Sequence, residues 1–167
     1  KVVGGSYVSL ADCEYTFEKT GNAISRGDYT ADSWYISSWV GGTQYYVYAH
    51  AGHNNAQKPT RTGKREVAIV DLSSTQGRVR FYDEGGYLHF HTNDNNNQYW
   101  NQCTNFHNDG TDEAVHSVMI FERGEDAASP IPGYKQVTTV DNIRDGGRYL
   151  IVAQKTAGNN KGYYAMH

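Results

Sequence analysis

The sequence is poor in the features that mark a membrane span, a nucleic-acid surface or a zinc centre. No run approaches the roughly 18 apolar residues that a membrane-spanning helix needs, so membrane insertion is not expected. There is no basic excess: 15 Lys and Arg stand against 18 Asp and Glu, a formal net charge of −3. Nucleic-acid surfaces usually carry a basic patch, and no nucleic-acid partner is expected. Cysteine occurs only at Cys13 and Cys103, without a C-x-x-C pair. Two thiols alone cannot build a zinc site; they form one disulfide or stay as two buried thiols. Proline is scarce, with three in the chain, and no segment sustains a helical period. The chain opens on Lys1-Val2-Val3 with no leader-like stretch, and a segment of a longer protein is expected.

What the sequence holds instead is tyrosine and glycine, 14 and 18 residues in a chain of 167. That combination favours short strands joined by many turns, and the length suits one domain with its own core, residues 1–167. The organising stretch runs from Tyr82 to Trp100. Gly85-Gly86 is a turn signal, and Tyr87 to Thr92 alternates as a strand does. A loop of almost pure Asn and Asp follows, Asn93 to Asn97, and Tyr99-Trp100 opens a second aromatic strand.

Read in order, the chain offers strands at Tyr7–Leu10 and Glu14–Lys19, then a turn at Thr20-Gly21-Asn22 and a short strand at Ala23–Ser25. Arg26-Gly27-Asp28 spells a tripeptide that integrins read, but a solvated turn is the expected role. Ser33–Val40 and Gln44–His50 form an aromatic hairpin about Gly41-Gly42. The basic loop Lys58–Arg65 reads as solvated. Buried strands are expected at Glu66–Leu72 and His116–Glu122, a polar loop at Asn101–Glu113, and a Pro-containing connector at 124–133. Arg148–Gln154 and Tyr163–His167 complete the set around a Gly-Asn loop.

Three of these hairpins look alike. They start near Tyr35, Tyr87 and Tyr149, about 52 and 62 residues apart. The third lacks its own partner strands unless the N-terminal segments supply them. The pattern predicts an all-β domain that looks like a β-trefoil barrel of three pseudo-repeats, with the third lobe shared by both termini. A two-sheet β-sandwich with the same hairpins is the alternative. Both architectures resemble the accessory carbohydrate-binding modules of secreted bacterial glycosidases. That resemblance implies an extracellular or cell-surface setting and other domains of a multimodular enzyme as neighbours.

Three kinds of chemistry compete. A glycosidase needs two carboxylates at a fixed separation, and Asp83-Glu84 and Asp112-Glu113 read as solvated turn pairs. No nucleophile elbow supports a serine hydrolase or esterase. His89 and His91 share a strand face and His50 and His53 lie close, but no third metal ligand falls in register. Asn93–Asn97 resembles an oxygen-rich calcium loop without the fixed Gly and terminal Glu of an EF-hand. No cofactor is expected, and calcium is the one ion this loop leaves open. Aromatic rings beside amides form the third pattern. A pyranose offers C–H faces to rings and hydroxyls to amides and carboxylates, and an exposed indole gains when something stacks on it. The expected site is therefore Trp100, Tyr99 or Trp39 as the stacking ring, with Tyr45 beside them and Asp94, Asn96 and His91 pairing with hydroxyls. A non-catalytic glycan-binding module is expected, with single-site affinity of roughly 10 μM to 1 mM. An adhesin-like protein-interaction domain is the alternative.

Overall fold

The computed structural model describes residues 9–48, 60–73, 77–92, 100–105, 116–156 and 161–166. The chain is all-β. Among the described residues twelve strands pair in one antiparallel sheet: β1 (Tyr15–Arg26), β2 (Tyr29–Val40), β3 (Thr43–Val47), β4 (Thr60–Arg61), β5 (Val67–Ser73) and β6 (Arg78–Asp83), then β7 (Gly86–Thr92), β8 (Trp100–Asn105), β9 (His116–Arg123), β10 (Tyr134–Val137), β11 (Gly147–Lys155) and β12 (Gly162–Ala165). Short 3-10 turns occupy Leu10–Cys13 and Val140–Asn142. Among the described residues no helix is long and apolar enough to cross a membrane.

Six of the strands close on themselves. β1 pairs with β2, β2 with β5, β5 with β6, β6 with β9, β9 with β11, and β11 back with β1. The closing contact joins the two ends of the chain: Tyr15 lies opposite Tyr149 and Phe17 opposite Gly147. The remaining strands are outgrowths of this ring. β3 and β4 extend from β2, β7 and β8 from β6, β10 from β9, and β12 from β11.

Alternation along the ring strands decides what the ring encloses. Each strand sends every second residue inward: Tyr15 and Phe17, Trp34 and Ile36, Val67 and Ile69, Val79 and Phe81, Val118 and Ile120, and Tyr149 with Ile151 and Ala153. All are buried. Phe17 meets Trp34 and Tyr149 edge-on, at ring-centroid distances of 6.3 and 5.2 Å. Outside the ring a second cluster forms where Met119, Phe121, Leu150 and Val152 pack under Cys13, Ile131 and Tyr134. Both faces of β9 and β11 are therefore covered, which is why these two strands read as continuous apolar runs.

A buried carboxylate ties this outer layer down. Glu14 accepts hydrogen bonds from Arg123 Nε (2.8 Å) and Nη2 (2.6 Å) and from the Tyr134 hydroxyl (3.1 Å) through one oxygen. A carboxylate taken out of water needs such partners. Cys13 is a free buried thiol whose Sγ donates to the Ser9 carbonyl at 3.4 Å.

Several local expectations change. Thr20-Gly21-Asn22 does not end a strand: β1 runs through it, and the register slips between Lys19 and Ala23 as a bulge. The bulge is held by a hydroxyl pair between Thr20 and Ser33 and by the Ser33 hydroxyl donating to the Asn22 carbonyl at 3.2 Å. Asn101 to Asn105 is strand, not loop. Its sequence has weak strand propensity, but the ladder on β7 imposes the extended form. Leu10 falls in a 3-10 turn, and Tyr134–Val137 is a strand that the turn-rich sequence around it concealed. Residues 124–133 form the loop of the β9–β10 hairpin, closed by the Gly124 N–H donating to the Gly133 carbonyl at 3.1 Å.

Candidate functional site

The β2–β3 hairpin carries the most exposed aromatic ring described. Gly41 and Gly42 both adopt positive φ, +58° and +80°, the mirror-image turn that lets two twisted strands meet across two residues. Trp39 lies just before this turn at 67% exposure, and its neighbour Val40 is 63% exposed. Register sets Trp39 opposite Gln44, Ser37 opposite Tyr46, and Ser38 opposite Tyr45. Trp39 therefore shares the outward face with Gln44, Tyr46 and Tyr35, whereas Tyr45 lies on the other face. On the outward face Tyr35 and Tyr46 meet edge-on at 6.2 Å, and Lys64 Nζ stands 5.1 Å above the Tyr35 ring. Gln44 Nε2 donates to the Ser37 hydroxyl at 3.3 Å. The hairpin thus presents an indole at its tip and an amide directly across from it, backed by the half-buried Tyr35 and the buried Tyr46.

The other expected residues fall elsewhere. Trp100 opens β8 opposite Thr92, and His91 lies in β7 opposite Asn101. Tyr99, Asp94 and Asn96 lie outside the described residues, as do His50, His53, Asp112 and Glu113. The structure does not join Trp39 and Tyr45 into one platform, because the register puts them back to back. Asp83 has a turn role: its Oδ1 accepts from the backbone N–H of Gly85 (2.7 Å) and Gly86 (3.1 Å). Arg26-Gly27-Asp28 is the tight β1–β2 turn, with Gly27 at φ +58°. There the Arg26 guanidinium donates to the Glu84 carbonyl at 2.8 Å. Among the described residues no group of three His, Cys, Asp or Glu could hold a metal ion.

No family model, curated protein or solved structure matches this chain. The site is therefore read from its own geometry.

That geometry includes a second feature that no local motif announced. A groove of about 400 Å³ opens at one end of the ring. Three strands carry their inward register past the core and turn polar there: Phe17 gives way to Lys19, Trp34 to Asp32, and Ile69 to Asp71. The 3-10 turn Val140–Asn142 and Ile143 form the opposite wall, held in place by Asp71 Oδ1 accepting from the Val140 N–H at 3.0 Å. Lys19 Nζ lies 3.8 Å from an Asp32 carboxylate oxygen and 5.5 Å above the Trp34 ring. These residues come from four separated segments. The only trace in the sequence is the change from apolar to charged at one position further along each inward face.

Proposed function

We propose that the chain is a non-catalytic carbohydrate-binding module of an extracellular protein, with an architecture akin to a β-trefoil. Two features of the strand pairing support the architectural reading. A ring of six antiparallel strands encloses the core, and four of them, β2, β6, β9 and β11, carry extra strands, with β11 and β1 closing the ring. The observation that carries the functional reading is Trp39. An indole two-thirds exposed at the tip of a two-glycine hairpin, with an amide across from it, gives a sugar ring an apolar face and a hydroxyl partner. Trp39 stacks on the sugar and Gln44 hydrogen-bonds its rim. Trp100, Tyr99, Asp94, Asn96 and His91 would extend the contact on the β7–β8 hairpin, and Tyr45 would serve a ligand reaching the reverse face. Neighbouring catalytic domains of the same polypeptide would supply the chemistry, and repeated weak sites would act through avidity.

Stacking on Trp39 removes roughly 60–100 Å² of apolar surface from water, about 1.5–2.5 kcal/mol. A glycan array probed with the wild-type domain and with Trp39→Ala tests this. Binding to at least one glycan is expected, with a roughly 10- to 70-fold loss in the variant. An array that stays blank for the wild type, or equal signals for both proteins, would overturn the reading.

A further inference from the structure

The geometry points to a second sugar site at the mouth of the ring, one that takes a single neutral pyranose. It rests on the carbohydrate reading for the class of ligand, but on none of the hairpin residues. The groove of about 400 Å³ lies at the small end of the ligand-pocket range, roughly 300–1,000 Å³, so one ring fits better than an oligosaccharide. Its floor is apolar, formed by Trp34, Ile69, Val140 and Ile143. Its rim is polar, and its three carboxylates, Asp32, Asp71 and Asp141, face one ammonium, Lys19.

Within the carbohydrate reading, that balance rules against anionic sugars. Three carboxylates against one ammonium make the mouth anionic, so phosphates and uronates are repelled. Among the described residues no cluster suits a metal ion. A neutral polyol has what the rim lacks: hydroxyl donors for the carboxylates and acceptors for Lys19. Its C–H face matches the apolar floor. A sealed donor lies beneath that floor and can report on it. The Trp34 side chain lines the groove, and its indole N–H is buried with no acceptor among the described residues. Buried donors are nearly always satisfied, and a water enclosed beneath the groove floor would satisfy this one.

The three tryptophans make the test direct. A nitrogen–proton correlation spectrum shows one indole N–H peak from each, assigned with Trp39→Phe and Trp100→Phe. Neutral methyl pyranosides are titrated in, with the matching methyl uronides as charge controls. The Trp34 peak should shift and saturate at millimolar sugar, while the uronides leave it in place. Asp141→Asn should weaken this response roughly three- to tenfold, the loss expected when a charge-assisted hydrogen bond becomes a neutral one. Thr30→Trp, which fills the groove from its exposed edge, should weaken it at least about tenfold. Trp39→Phe should leave it unchanged. If the Trp39 peak shifts and the Trp34 peak does not, the mouth is no sugar site and the hairpin reading stands. If no indole peak responds to any pyranoside, both proposals fall. A Trp34 response that survives both groove variants, or that uronides match, also overturns the mouth site.

Discussion

Trp34 and Trp39 lie in the same strand an odd number of residues apart, and replacing each with alanine should have opposite consequences. Trp34 is 1% exposed, inside the ring, edge-on to Phe17 and capped by Lys19. Truncating a buried tryptophan to alanine removes its transfer free energy and leaves a cavity, about 3–5 kcal/mol together. For a domain of this length each kcal/mol lowers the melting temperature by about 2–4 °C, so Trp34→Ala should lose roughly 6–20 °C. Trp39 stands 67% clear of the protein, and Trp39→Ala should stay within about 0.5 kcal/mol of the parent. Urea unfolding followed by far-ultraviolet circular dichroism measures both without depending on tryptophan fluorescence. The reasoning fails if Trp34→Ala costs less than about 1 kcal/mol, since a closed ring cannot lose its largest side chain so cheaply. It also fails if Trp39→Ala costs more than about 2 kcal/mol, since the ring would then be packed against something and not offered to a ligand.

Three further outcomes are expected. Burial, followed by the charge of Asp12, pushes the Cys13 thiol up to about 11 from its ordinary 9.0. In a Cys103→Ser background, Cys13 should therefore resist a thiol reagent near pH 8 until urea unfolds the chain; rapid native labelling would refute its placement. Because the folded value lies above the unfolded one, stability is intact below the unfolded value and falls as pH rises from about 9 to about 11. Tyr15, raised first by burial and then by Cys13, pushes stability the same way, so a flat profile over that window would contradict both. Gly77 immediately precedes β6 at φ +64°, where an added Cβ would press on the Gln136 amide and lie 3.2 Å from Thr138 Cα. Gly77→Ala should cost at least about 1–2 kcal/mol by urea unfolding, and a neutral substitution would show that this backbone is not left-handed.

Alternation was legible because it is local. Each strand's inward set, such as Phe17 beside Tyr15 or Ile69 beside Val67, is a period-two pattern that needs no partner to be seen. Gly41-Gly42 likewise announced its turn, since few other residues accept two successive positive φ angles. The exceptions came where a neighbouring strand overruled a local signal. Thr20-Gly21-Asn22 carries turn residues, yet pairing with β2 on both sides absorbs them as a bulge. Asn101 to Asn105 looks like loop until β7 lends it a ladder.

By itself the sequence determined the all-β class, the aromatic hairpins and the apolar faces, because propensity and period act over a few residues. Only the tertiary structure decided that Trp34 is sealed while Trp39 stands free, and that Tyr45 turns its back on Trp39. It alone gathered Lys19, Asp32, Asp71 and Asp141 around one groove. Those outcomes depend on which strands meet and in what register, and register is fixed by contacts between residues far apart in the chain.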